Sequence, residues 1–218
     1  MEKVILTGAS EGLGFELSKL FLEKGTEVIG ICRSKPFEGV KHIQADLSSK
    51  EDLNKIIEKI KKEDSEFDCL INCAGIMSVQ ELGKINPEEI DNLFKINILA
   101  PIKLVSGLIE EIKSNSSDII NVGSTVGFKA YEKQAAYGAS KWAVRGFNEN
   151  LRLELKNTKS RVIGFNPGGF KSRIFEKATG EKTNLEEYMD PKELAKLIIQ
   201  ILELPKNIEV SEIIVNRK

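Results

Sequence analysis

Val4-Ile5-Leu6-Thr7-Gly8-Ala9-Ser10-Glu11-Gly12-Leu13-Gly14 is the stretch that decides the fold. The opening apolar run reads as a buried strand, and the glycines that follow, spaced G-x-x-x-G-x-G, stand at a strand-to-helix turn. Glycine permits a tight turn and a close approach of backbone to a ligand, and the first N–H groups of a helix present positive charge. A loop of this kind after a first strand suits the pyrophosphate of a dinucleotide. Gly8, Ser10, Gly12, Leu13 and Gly14 are therefore candidate cofactor contacts. The plain alternative is a glycine turn with no ligand.

Outward from this loop, short apolar runs alternate with longer helical patterns, which is the signature of βαβ units and a parallel sheet. Strands are expected at 4–7, 27–32, 41–45, 67–72, 118–123, 161–166 and 209–215, and helices at 12–24, 50–62, 87–114, 135–157 and 191–202. The fold class is α/β: one doubly wound parallel sheet of about seven strands with helices on both faces. A length of 218 residues suits a single domain over 1–218, with 1–115 mainly a cofactor half and 116–218 a catalytic and substrate half.

Lys and Arg total 32 against 33 Asp and Glu, a net charge of -1, so no global field favours a nucleic acid or an acidic membrane surface. The N-terminus enters strand-like sequence without a basic leader, and no apolar run approaches membrane-spanning length. A cytoplasmic protein with a small-molecule ligand, without nucleic acid or membrane, is the expectation. Cys32, Cys69 and Cys73 are an odd set that suits a reducing compartment. Cys69 and Cys73 could form a metal pair, but no histidine joins them, and they read better as small buried hydrophobes. His42 is the single histidine and lies far in sequence from Ser124, against Ser-His-Asp chemistry and against a zinc site, so no metal is expected.

A second informative stretch is Asn121 to Lys141, N-V-G-S-T-V-G-F-K-A-Y-E-K-Q-A-A-Y-G-A-S-K. Ser124 ends an apolar β-run, while Tyr137 and Lys141 stand one helical turn apart on a shared face. A phenol titrates near 10, too high for proton transfer at neutrality unless a nearby cation lowers it, and Lys141 is placed to do so. Ser124 could hydrogen-bond a substrate oxygen beside the phenol. Gly123-Ser124-Thr125-Val126-Gly127 is out of register with G-x-S-x-G, which counts against a Ser-Lys hydrolase built on a nucleophile elbow.

These motifs together resemble the short-chain dehydrogenase/reductase family. The resemblance rests on T-G-x-x-x-G-x-G, Asn72-Cys73-Ala74-Gly75, Asn97, Ser124 thirteen residues before Tyr137, Tyr-x-x-x-Lys and Asn166-Pro167-Gly168. It implies hydride transfer between a nicotinamide and a carbonyl or alcohol. In it Tyr137 gives the proton, Ser124 positions the substrate oxygen, Lys141 lowers the phenol pKa and bonds the nicotinamide ribose, and Asn97 completes a relay through water. The plain alternative for Asn97 is a buried amide satisfied by a neighbouring backbone.

Where NAD-preferring relatives carry an acid, this chain has Cys32 followed by Arg33 and Ser34, so NADP(H) is expected, with NAD(H) possible. Glu11 counts slightly against that preference. Asp46 and Leu47 match the adenine-side position, although Asp46, Ser48 or Ser49 could equally cap the next helix. Asn72 is expected to brace the sheet, with Ala74 and Gly75 lying close to the cofactor, and Pro167, Gly168, Phe170 and Ser172 covering the nicotinamide amide. Val126, Phe128, Phe170 and Phe175 are the expected pocket walls, and 173–189 reads as a mobile flap. Relatives pair through their two long helices, so a homodimer or homotetramer is expected. The rival from another class is a cofactor-binding regulator that no longer turns over.

Overall fold

The computed structural model describes residues 1–182 and 184–218; Thr183, within the expected flap, lies outside the described residues. Strands β1 (Lys3–Thr7), β2 (Glu27–Cys32), β3 (Lys41–Gln44), β4 (Cys69–Asn72), β5 (Asp118–Val122), β6 (Val162–Pro167) and β7 (Glu212–Val215) form one sheet. Its order is β3-β2-β1-β4-β5-β6-β7, and every pairing is parallel. The order reverses between β1 and β4, which opens a crevice above the C-terminal ends of those strands.

The apolar strands are buried on both faces, as parallel strands require. On one face Ile5, Ile29, Ile31, Leu70 and Ile119 meet α2 (Lys50–Glu63), α4 (Ala100–Gly107), α5 (Ile109–Asn115) and α6 (Ala135–Leu155). On the other, Val4, Leu6, Val28, Ile71, Ile120 and Phe165 meet α1 (Gly12–Glu23) and α8 (Pro191–Leu202). Alternation along each strand assigns side chains to the two layers: in β1, Ile5 faces α2 while Val4 and Leu6 face α1. No single helix among the described residues is long and apolar enough to cross a membrane.

The stretch expected as one helix over 87–114 is broken. It comprises α3 (Pro87–Phe94), a π-helical turn (Lys95–Leu99), α4 and α5. Pro101 has no N–H to give the Asn97 carbonyl, and Ala100 N donates five residues back to Lys95 O instead. Capping at α2 is also settled. Asn86 caps α3, and Ser49, not Asp46, caps α2 by accepting from Asp52 N.

The flap segment contains a short helix, α7 (Ile174–Thr179), ended by Gly180 at φ 74°. It is anchored at its return by Lys171 N donating to Met189 O at 2.9 Å and by a bridge between Phe170 and Met189. Lys177 on α7 pairs with Glu11 of the glycine loop.

Candidate active site

Gly8 has φ 75°, and a β-carbon there would stand 2.9 Å from Ala74 Cα; one at Gly14 would stand 2.2 Å from Gly8 O. Glycine at these positions is what lets the loop fold flat against the end of β4. Thr7 locks the same junction, its Oγ1 accepting from Cys73 N and Ala74 N, both at 3.1 Å. Sequence reasoning missed Thr7, because a strand-end threonine looks like any β-former. Glu11 precedes α1 without a side-chain cap, so the first N–H groups of that helix meet no capping oxygen from it. A cradle with no side chain and outward N–H groups fits a pyrophosphate. Phe170 and Ser172 approach Gly12, since a β-carbon there would lie 3.8 and 3.7 Å from them. The loop after β6 and the loop after β1 therefore meet.

Ser10 and Ala9 hydrogen-bond the Cys32 thiol, which burial nonetheless pushes up. Cys32 Sγ also donates to Ser34 O at 3.1 Å, so the glycine loop and the end of β2 are joined. Arg33 is exposed and lines a groove of about 470 Å³ with Lys35, Phe37, His42 and Gln44. His42 and Gln44 were not legible as site residues, because only the return of β3 beside β2 brings them to Arg33. Asp46 forms a turn, its Oδ1 accepting from Ser48 N at 2.9 Å and Ser48 Oγ at 2.8 Å. The Ser48 backbone bond holds its carboxyl below the usual range, against a smaller burial penalty, with the Arg33 charge assisting. Leu47 is buried in the core on the α2 side.

Asn72 braces the sheet, donating to Asn121 Oδ1 at 2.7 Å, and Asn121 donates to Asn148 Oδ1 of α6 at 2.6 Å. Gly75 marks where the chemistry converges: a β-carbon there would lie 3.4 Å from Asn97 Oδ1 and 3.7 Å from Lys141 Nζ. Asn97 in the π turn accepts from Ile76 N at 2.9 Å and donates to Ile76 O and Ser140 Oγ at 2.9 and 3.0 Å. The amide is thus satisfied by its neighbours, with Ser140 an unforeseen partner.

Ser124 sits at the extended end of β5, and its Oγ accepts from Val126 N at 3.2 Å to cap a 3-10 turn (Thr125–Gly127). Tyr137 is buried at 6% exposure and packs with Leu93 and Val126, backed by Ile76, Met77 and Phe94. Burial pushes the Tyr137 phenol up, and the Ser124 hydroxyl, as its hydrogen-bond partner, pulls it down. Lys141 stands one turn further along α6. Its ammonium donates to Val122 O at 3.0 Å and lies 5.8 Å from the centre of the Tyr137 ring. Burial pushes Lys141 down to about 8, with Cys73 opposing. The Cys73 thiol is in turn pushed up to about 12 by burial, against the Lys141 charge.

Among the expected pocket walls, Val126 reaches the Tyr137 cluster and Phe170 reaches the glycine loop. Phe175 is half-buried on α7. The Phe128 ring lies under the Arg145 guanidinium, 3.9 Å from Cζ to the ring centre. Pro167 is buried at the end of β6, and Gly168 N donates to Val215 O at 2.7 Å.

Residues 2–183 match the family model described as short chain dehydrogenase, and the chain belongs to that family of oxidoreductases. It is 28% identical over 226 residues to an uncharacterized oxidoreductase of Staphylococcus saprophyticus, covering 97% of this chain and 95% of the relative. In fold it is similar to a closed serine dehydrogenase complexed with NADP+, at TM-score 0.88 and 22% identity over 98% of this chain and 94% of that one. It is equally similar to a 4-hydroxyisoleucine dehydrogenase complexed with NADH, at TM-score 0.88 and 23% identity over 100% and 98%.

Proposed function

We propose that this chain is an NADP(H)-dependent reductase of carbonyl compounds, working reversibly on the corresponding alcohols, with Tyr137 as the proton donor and acceptor. The observation that carries the reading is that Tyr137 is buried against Val126 of the turn that Ser124 caps, one helical turn before Lys141, whose ammonium lies beside Gly75 at the strand ends. The bound nicotinamide supplies or takes the hydride. Ser124 donates a hydrogen bond to the substrate oxygen, and Tyr137 gives that oxygen its proton during reduction. A phenol kept neutral by burial is in the correct state to donate. Lys141, titrating near 8, is charged through most of the neutral range and stands where it can hold a ribose hydroxyl and exchange protons.

Gly8, Ser10, Gly12, Leu13, Gly14, Ala74 and Gly75 would hold the pyrophosphate and nicotinamide end, with Pro167, Gly168, Phe170 and Ser172 over the amide. Arg33 and Ser34, beside the groove with Lys35, would take the 2′-phosphate, which supports NADP(H) over NAD(H). The NADP+ and NADH held by the two dehydrogenases of like fold accord with either nucleotide. Residues 1–115 then serve mainly the cofactor and 116–218 the reaction. Trp142 and Leu153 are exposed at 52% and 68% on α6, which suits the proposed homodimer or homotetramer.

The test is a panel of aldehydes, ketones, quinones and 3-oxoacyl thioesters with NADPH deuterated at the transferring carbon. Consumption of NADPH with deuterium appearing on the carbinol carbon is the expected result. Tight NADPH binding with no turnover across the panel would favour the regulator instead.

A further inference from the structure

We infer that Arg145 is a positioning residue that clamps the turn carrying Ser124 onto the helix carrying Tyr137, and that Glu212 of the last strand holds Arg145 in place. The inference rests on the roles proposed for Ser124 and Tyr137. Arg145 lies one turn beyond Lys141 on α6. Its Nη1 donates to the Gly127 carbonyl at 3.3 Å, its Nε donates to Glu212 Oε1 at 3.3 Å, and its plane covers the Phe128 ring. Gly127 N in turn closes on the Ser124 carbonyl at 2.9 Å. Glu212 also accepts from Asn166 Nδ2 at 3.5 Å.

One side chain thus ties three elements: the 3-10 turn, α6 and β7. The turn it grips is three residues long, has no strand partner of its own and rests on the helix through Val126 against Tyr137. The fit is already tight, since a β-carbon at Gly127 would stand 3.0 Å from the Lys141 carbonyl. Only a guanidinium offers a flat face for the ring and separate N–H groups for a carbonyl and a carboxylate at once. Releasing it would let Ser124 drift from the phenol, and a displacement of about 1 Å in an active site costs roughly a hundredfold in rate. Phe128 is the plate against which the clamp closes.

The experiment compares wild type with Arg145→Ala, Arg145→Lys and Glu212→Gln. The first readout is the ultraviolet titration of the Tyr137 phenol, assigned by its disappearance in Tyr137→Phe; this needs no turnover. Arg145→Ala is expected to move that titration to higher pH, because the Ser124 hydrogen bond that lowers it is loosened. Arg145→Lys should behave the same way, and Glu212→Gln should shift it less in the same direction. In the second readout, Arg145→Ala lowers kcat by about 10- to 100-fold while the NADPH dissociation constant is kept. An unmoved phenol in folded Arg145→Ala, or in Arg145→Lys and Glu212→Gln should the alanine variant not fold, overturns the clamp. Loss of NADPH binding in step with loss of kcat overturns it as well. A moved phenol in a wild-type background that turns over no carbonyl would reject the reductase reading and leave the clamp standing.

Discussion

At the N-terminal ends of the strands, Asp118 receives Arg161 Nε at 3.1 Å and Nη2 at 2.7 Å, and Lys206 Nζ at 2.7 Å. The remaining Arg161 N–H groups go to the Leu202, Leu204 and Ile208 carbonyls at 3.0, 2.9 and 3.1 Å. Nearby, burial alone would raise the Asp64 carboxyl, but hydrogen bonds from Lys41 and Lys3 hold it below its ordinary value. The C-terminal ends are arranged differently. Asn72 Oδ1, Asn148 Nδ2 and Asn166 Oδ1 are buried there without a hydrogen-bond partner among the described residues, and Lys141 is an ammonium that burial discourages. Buried polar groups cost free energy unless paired, so the first end is built to close the sheet and the second keeps capacity in reserve. In a parallel sheet the reserve lies where ligands bind.

The contrast breaks if the two ends respond alike to substitution. Tyr137→Phe removes the transferable proton and little else, so turnover is expected to fall about 10²- to 10⁴-fold with NADPH binding retained, as read by fluorescence titration. Arg161→Leu at the other end leaves Asp118 buried with one cation and several carbonyls without donors. It should cost about 3–5 kcal/mol of unfolding free energy in denaturant titrations, while kcat per folded molecule is unchanged. Loss of kcat without loss of stability there would show that the ends are not separable. A smaller effect sharpens the picture at the reactive end. Arg33→Ala should weaken NADPH relative to NADH by more than about 1.4 kcal/mol, a tenfold ratio, and equal losses for both nucleotides would remove Arg33 from phosphate recognition.

Much of the closed end and of the reactive end was legible, for different reasons. All seven strands follow from apolar runs, and 27–32 and the glycine loop fall where the sequence places them, because period and turn chemistry are local. The strand expected at 209–215 begins only at Glu212, since pairing with Gly164 sets its start. The break after Phe94 was half-visible: Asn97 is unfavourable in an apolar helix, yet the π turn also needs Pro101, whose missing N–H acts on a residue four back. The Tyr137, Lys141 and Ser124 set was readable from spacing. The burial of the phenol was not, because Leu93 and Val126, which cover it, come from other segments. The contact of Phe128 with Arg145 was hidden for the same reason: its aromatic character was evident, but the guanidinium over it lies on another element.

The most direct measurement is made on Lys141→Met, by unfolding free energy across pH together with NADPH turnover. A lysine whose folded pKa of about 8 lies below its unfolded value of 10.5 destabilises the fold while protonated, fully below about pH 8, and the penalty fades as pH rises to 10.5. The methionine variant is therefore expected to be more stable than wild type by about 1–3 kcal/mol at neutral pH, to lose that advantage in alkali, and to be inactive. A variant that is less stable at neutral pH, or that still reduces carbonyls at the wild-type rate, would contradict the division of the sheet into a closed end and a reactive one.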